Sequence, residues 1–240
     1  MPRRPSIVIL TVYLCLFFKP AGAQNIYLKH PEAAHVKTFK DSAERVFIKN
    51  HDSISLLEHQ YAYLLRFYPN LLLDEIRVQF VNSRHPFKIK PQFSSIFKAP
   101  AQREYRVYYS KTTHSTMDSV LINNLSFTSQ LGLVSIQLST IEDLSTGGFF
   151  NFLYWYARNW SKKGRRKIYH NAEHRSIELG MGYYLYDYNT EFFRRLQIDN
   201  WQSTRGYTTY MNHYRNLPMK PALILNLISD LPVYMTKNFK

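Results

Sequence analysis

His170, Glu173 and His174 are the residues whose types and spacing suit metal chemistry. Histidines four apart project from one helix face a turn apart, so two imidazoles can aim at one ion with the glutamate beside them. Zinc is the metal such a nitrogen and oxygen set takes, and metal-assisted hydrolysis is the chemistry it would perform. The plainer reading is two exposed histidines beside a basic loop, where Lys167 and Arg175 repel a cation. Glu178, one turn beyond His174, completes a surface cluster at most. Ser110, Ser115 and Ser139 lack a Gly-x-Ser-x-Gly elbow, there is no phosphate loop, and Asp74-Glu75 and Glu142-Asp143 are adjacent pairs that point apart. His114 reads as a loop residue.

Any such site must be positioned by the helix that the sequence marks most clearly. Phe127, Leu131, Val134, Leu138 and Ile141 recur at steps of four and three, which predicts a helix over 127–144, started by Ser126 or Thr128 and stopped by Gly147-Gly148. Leu133, Ile136, Thr140 and Leu144 lie about 140° round from that stripe, so two faces are buried, leaving Ser135, Ser139, Glu142 and Asp143 for water. Upstream, Ile54, Leu57, Tyr61, Leu64, Leu65 and Tyr68 predict a helix that ends before Pro69. Residues 75–81 and 105–109 alternate as strands, Ser119–Ile122 supplies a short third one, and 82–101, with three prolines, is an irregular connection. Downstream, Phe149–Tyr156 reads as an aromatic core helix, with a helix dipping into a membrane surface as the alternative, and Lys162–Lys167 as a solvated basic loop, with an anion-binding patch as the alternative. A long helix follows from Tyr169 to Leu196, in which Gly180 and Gly182 allow a close helix contact, and the tail holds a short apolar helix between Pro221 and Pro232.

Met1–Ser6 is basic, Ile7–Phe18 is an apolar run too short to span a membrane comfortably, and Ala21 and Ala23 have the small side chains that a signal peptidase requires. We therefore expect a signal peptide over 1–23 cut before Gln24, an N-terminal arm over 24–50 and a single domain over 51–240; an uncleaved anchor is the alternative. Cleavage removes Cys15, the only cysteine, which excludes disulfides and thiolate chemistry from the exported chain. It also removes Arg3, Arg4 and Lys19, lowering the formal charge from +14 to +11. Such a charge favours anionic envelope surfaces, polymers or acidic proteins, and no nucleic-acid-binding motif is present.

The order of elements predicts an α+β fold, with a small antiparallel or mixed sheet packed on a long central helix and further C-terminal helices. Ser119-Val-Leu-Ile-Asn-Asn-Leu-Ser-Phe-Thr-Ser-Gln-Leu-Gly-Leu133, Asn171-Ala-Glu-His-Arg-Ser-Ile-Glu-Leu-Gly-Met-Gly-Tyr-Tyr-Leu185, Trp201 and Tyr210-Met211 resemble a largely uncharacterised family of exported Bacteroidota proteins that is itself similar to the zincin metallopeptidases. The likeness is collinear over about residues 54–235. Family members carry Gly-His-Glu-Leu-x-His on the central helix and an acidic element on the next long one. The resemblance thus implies a zincin-like fold, and it sets Ile136-Gln137-Leu138-Ser139-Thr140 at the His-Glu-x-x-His positions and Glu173 at the later acidic one.

At those positions the chemistry is gone. Isoleucine has no lone pair to give a metal, threonine is a poor zinc ligand, and neutral glutamine cannot take a proton from metal-bound water. The expectation is therefore a degenerate member that uses no cofactor, a non-catalytic protein with a binding or scaffolding role at the cell envelope. Two alternatives stay open. One is a metal-dependent hydrolase that holds zinc with His170, Glu173 and His174, in the His-x-x-Glu-His order of the inverted zincins. The other is a membrane-surface or glycan-binding module built on the many aromatic residues.

Overall fold

Alternating burial of Ile76, Val78 and Phe80, and of Tyr105, Val107 and Tyr109, marks the two strands at the centre of the sheet. In the computed structural model, which describes residues 29, 31–38, 46–49, 55–71, 75–92, 94, 97–98, 103–146, 148–198 and 218–235, the chain is α+β. Helix α1 (Ala33–Val36) is followed by β1 (Val46–Lys49), α2 (Ser55–Leu65), β2 (Glu75–Val81), β3 (Phe87–Pro91) and β4 (Glu104–Ser110). Then come α3 (Phe127–Ser145), α4 (Phe149–Trp160), α5 (Lys162–Ser176), α6 (Gly182–Arg195), α7 (Pro221–Asp230) and α8 (Pro232–Met235). The sheet is four-stranded and mixed in the order β1-β2-β4-β3, with β1, β2 and β4 parallel and β3 antiparallel at the edge. Its β1 comes from the stretch read as an N-terminal arm. Lys88 and Lys90 point out from β3, the edge strand, which discourages further pairing.

Several sequence expectations change. The connection over 82–101 holds β3, whose Phe87 and Ile89 sit opposite Tyr109 and Val107 of β4, so the prolines bound a strand instead of excluding one. Ser119–Ile122 forms no strand and lies across two 3₁₀ turns, Thr116–Val120 and Ile122–Asn124. The basic run Lys162–Lys167 is no loop. It opens α5, started by the Ser161 hydroxyl, which accepts from Gly164 N at 2.9 Å. The segment 1–23, Trp201 and Tyr210-Met211 lie outside the described residues.

Helix α3 runs through the middle of the fold, and of the four residues expected to face water only Asp143 does. Ser135, Ser139 and Glu142 are buried because other elements supply partners. Tyr68 Oη donates to the Ser135 carbonyl and lies 2.9 Å from Ser139 Oγ, which in turn is 2.9 Å from Ser176 Oγ, while Arg175 and Asn70 hold Glu142. Ser126 does precede the helix, yet its hydroxyl makes no cap and instead donates to Glu191 at 2.7 Å. Gly132 is the contact that lets α6 approach, since a Cβ there would stand 2.2 Å from the Tyr184 carbonyl oxygen.

The long C-terminal helix is broken between α5 and α6. Gly180 has φ 90°, and the Tyr234 hydroxyl enters the opened ladder, donating to the Ile177 carbonyl at 2.6 Å and accepting from Gly182 N at 2.7 Å. Thus Gly180 serves the kink, and Gly182 serves a close contact, with Ile228 and Tyr234.

Candidate functional site

The positions that matter most on α3 are locked by neighbours rather than aimed into space. Gln137, fully buried, accepts through Oε1 from Tyr61 Oη at 2.6 Å and from Tyr109 Oη at 2.5 Å, and the two hydroxyls lie 3.0 Å apart. Helix α2 brings Tyr61 and β4 brings Tyr109, so sheet, central helix and first long helix meet at this amide. Burial pushes both phenols well above their ordinary pKa; the adjacent Tyr109 raises Tyr61 further, while hydrogen bonds from Tyr61 and Gln137 only partly offset the rise at Tyr109. Both therefore remain neutral donors. Gln137 Nε2 finds no partner among the described residues. This cradle offers donors to an acceptor and gives nothing to an N–H.

Ile136, 1% exposed, belongs to the hydrophobic core. Thr140 returns its hydroxyl to the Ile136 carbonyl at 2.8 Å, one turn back on its own helix. These two residues and Gln137 do not fit a metal: one has no ligand atom, one has used its hydroxyl, and the third is enclosed by phenols.

Glu173 is also fully buried. Its Oε1 accepts from Met219 N at 2.8 Å and Asn189 Nδ2 at 3.1 Å, and Oε2 lies 2.9 Å from His170 Nδ1. Asn189 Nδ2 also donates to the Met219 carbonyl at 2.8 Å, so Glu173 and Asn189 together hold both backbone groups of Met219, just ahead of α7. The carboxylate thus ties α5, α6 and the start of the C-terminal segment to one another. Burial raises the pKa of Tyr188, Tyr169 partly offsets this, and the Glu173 and Tyr109 side chains add to the rise.

His170 faces Glu173 with Nδ1, and its Nε2 is 3.5 Å from Arg166 Nε. His174 is exposed and lines a different feature. Among the described residues no group of three or more His, Cys, Asp or Glu is placed to hold a metal ion. With both Glu173 oxygens engaged by protein donors, the trio does not fit a zinc site in this arrangement.

That different feature is an open cleft of about 410 Å³ between α3 and α5, with Thr140, Glu142, Asn171, His174 and Arg175 among its walls. Arg175 Nε donates to Glu142 Oε2 at 2.8 Å, so the charges at its base are paired. Asp143 at the rim faces water, but partial desolvation by its neighbours raises its pKa, with Arg158 opposing the shift and Glu142 adding to it.

Set against known proteins, the chain matches no family model, no curated protein and no solved structure.

Sequence reasoning found Ile136, Gln137, Thr140 and Glu173 but not what encloses them. Tyr61 and Tyr109 reach Gln137, and Asn189 reaches Glu173, from distant elements, and each has the spacing of an ordinary core residue. It also favoured the core for α4 over a surface setting. There only Phe152 and Trp155 are buried, while Phe149, Phe150, Leu153, Tyr154, Tyr156 and Trp160 are exposed. The available signal was charge: no aspartate or glutamate occurs over 144–172, whereas six lysines and arginines do.

Proposed function

We propose that this is an exported, non-catalytic, zincin-like protein with a binding or scaffolding role at the cell envelope. The observation that carries the reading is the enclosure of Gln137 between Tyr61 and Tyr109, at the position where the resemblance places a general base. A glutamine cannot accept the proton of an activated water, and here its acceptor atom is already occupied by two phenols. The mixed sheet, the buried central helix and the acid on a later helix agree with a zincin-like arrangement, and the basic leader with its small-residue cut site supports export.

The test compares the melting temperature of the purified full chain with added zinc and with chelator, alongside a peptide-hydrolysis screen. The proposal expects no metal-dependent shift and no hydrolysis. Zinc-dependent hydrolysis that disappears in His170→Ala/His174→Ala would replace it with the hydrolase reading.

A further inference from the structure

We propose that the outer face of α4, with the basic start of α5, docks the protein on an anionic phospholipid bilayer. Seen down its axis, α4 buries one narrow stripe, Phe152 and Trp155, and presents an arc of Tyr156, Phe149, Trp160, Leu153, Phe150 and Tyr154 to solvent. Phe150 is 83% and Trp160 77% exposed. The arc is continuous: Phe149 and Phe150 meet edge to face at 5.8 Å, as do Tyr156 and Trp160 at 6.3 Å. Phe97, 75% exposed, stacks on Phe149 at 5.8 Å and widens the surface. An apolar face of this size on one helix marks an interaction site, and aromatic side chains with polar tips suit the headgroup boundary.

Charge selects the occupant. Lys163, Arg166 and Lys167 are exposed on the first turns of α5, immediately beyond Trp160. The turn between the helices is tight, because a Cβ on Gly164 would stand 2.0 Å from the Arg158 carbonyl oxygen. Arg165 Nη1 donates to the Asn159 and Trp160 carbonyls at 2.8 and 3.2 Å and ties the end of α4 to this turn. Basic groups at a helix N-terminus oppose the helix dipole, so anionic headgroups would relieve both the mutual repulsion and that conflict. An apolar arc bordered by lysine and arginine, with no acid between residues 144 and 172, is the pattern of a helix lying in an anionic membrane surface. No helix among the described residues is long and apolar enough to cross a membrane, which agrees with surface docking.

This inference extends the envelope reading by naming the partner, and its assay does not depend on metal. The full chain is floated with phosphatidylcholine vesicles with and without phosphatidylglycerol, beside Phe150→Ser/Trp160→Ser and Lys163→Glu/Arg166→Glu/Lys167→Glu. Residues 7–18 are common to all three proteins, so the differences between them report on α4 and α5. We expect binding to anionic vesicles only, weakened at least tenfold by either variant and by raising salt from about 0.05 M to about 0.5 M. In the wild type, the emission of Trp160 should shift to the blue on binding, and the shift should fall in Trp160→Phe. Equal flotation of wild type and variants, equal flotation with neutral vesicles, or no blue shift from Trp160 would overturn the proposal. So would a wild-type dimer that becomes monomeric in Phe150→Ser/Trp160→Ser and ignores vesicles, since the face would then belong to a second copy.

Discussion

Helices α3 and α4 are neighbours in sequence and opposites in environment. Both are rich in apolar residues, yet α3 is enclosed nearly all round and satisfies its serines, glutamine and glutamate inside the fold, whereas α4 leaves most of its aromatic surface open. The contrast separates holding from meeting: where the resemblance would place catalysis, side chains are committed to one another, and the surface able to engage something else lies one helix away.

The largest effect should come from Glu173, the fully buried carboxyl group of α5. Glu173→Ala leaves Met219 N, Asn189 and His170 facing a void, and we expect a loss of about 3–5 kcal/mol in urea unfolding, with faster amide exchange at the start of α7. A loss below about 1 kcal/mol would mean that α5, α6 and the segment at Met219 are not held together from this point.

Gln137 sharpens the same side of the comparison. Gln137→Leu should cost about 2 kcal/mol, because two phenols lose their acceptor and keep only each other. At about pH 4, where a protonated carboxyl avoids burying a charge, Gln137→Glu should cost less than Gln137→Leu, because its carbonyl oxygen can still accept from both phenols. Equal costs for the two substitutions would contradict a cradle that holds an acceptor.

Acid should loosen the start of α3 next. Burial alone would raise the Glu191 pKa, but hydrogen bonds from Ser129, the Ser126 hydroxyl and backbone N–H, and Arg195 bring it down to about 2, against an ordinary 4.5. A carboxyl with a depressed folded-state pKa contributes its stability in full above the unfolded value and loses it as pH falls toward the folded one, here between about pH 5 and about pH 2. With Arg195 32% exposed and screened by solvent, that contribution is on the order of 1–2 kcal/mol. Glu191→Gln should flatten this part of the stability profile, as read by thermal unfolding across that range.

On the open side of the comparison, Phe150→Ser/Trp160→Ser should change unfolding stability by less than about 0.5 kcal/mol despite removing two large aromatic rings. A cost of several kcal/mol would show that α4 is covered in solution.

The sequence was most legible where one period ruled one element. Ile76, Val78 and Phe80 announced β2, and Phe127 to Ile141 announced α3 nearly to its last residue. Legibility failed where a distant partner decides the outcome. Nothing near Glu142 or Ser139 tells that Arg175, Tyr68 and Ser176 will enclose them, and β3 depends on β4, beyond a proline-bearing connection. The basic run became helical because Ser161 caps it and Gly164 admits the close turn, two local effects that outweigh charge repulsion. For α4 the spacing of apolar residues said helix but could not say which side the protein covers. For the candidate site, the sequence placed Ile136, Gln137 and Thr140 on one helix, whereas the two phenols that enclose Gln137 became visible only in three dimensions.

Metal content tests the central claim most directly. The full chain, purified without a histidine tag and dialysed against trace zinc, should carry substoichiometric zinc by elemental analysis, indistinguishable from His170→Ala/His174→Ala. One zinc per chain in the wild type and none in the variant would contradict the account and establish a working metal site on α5.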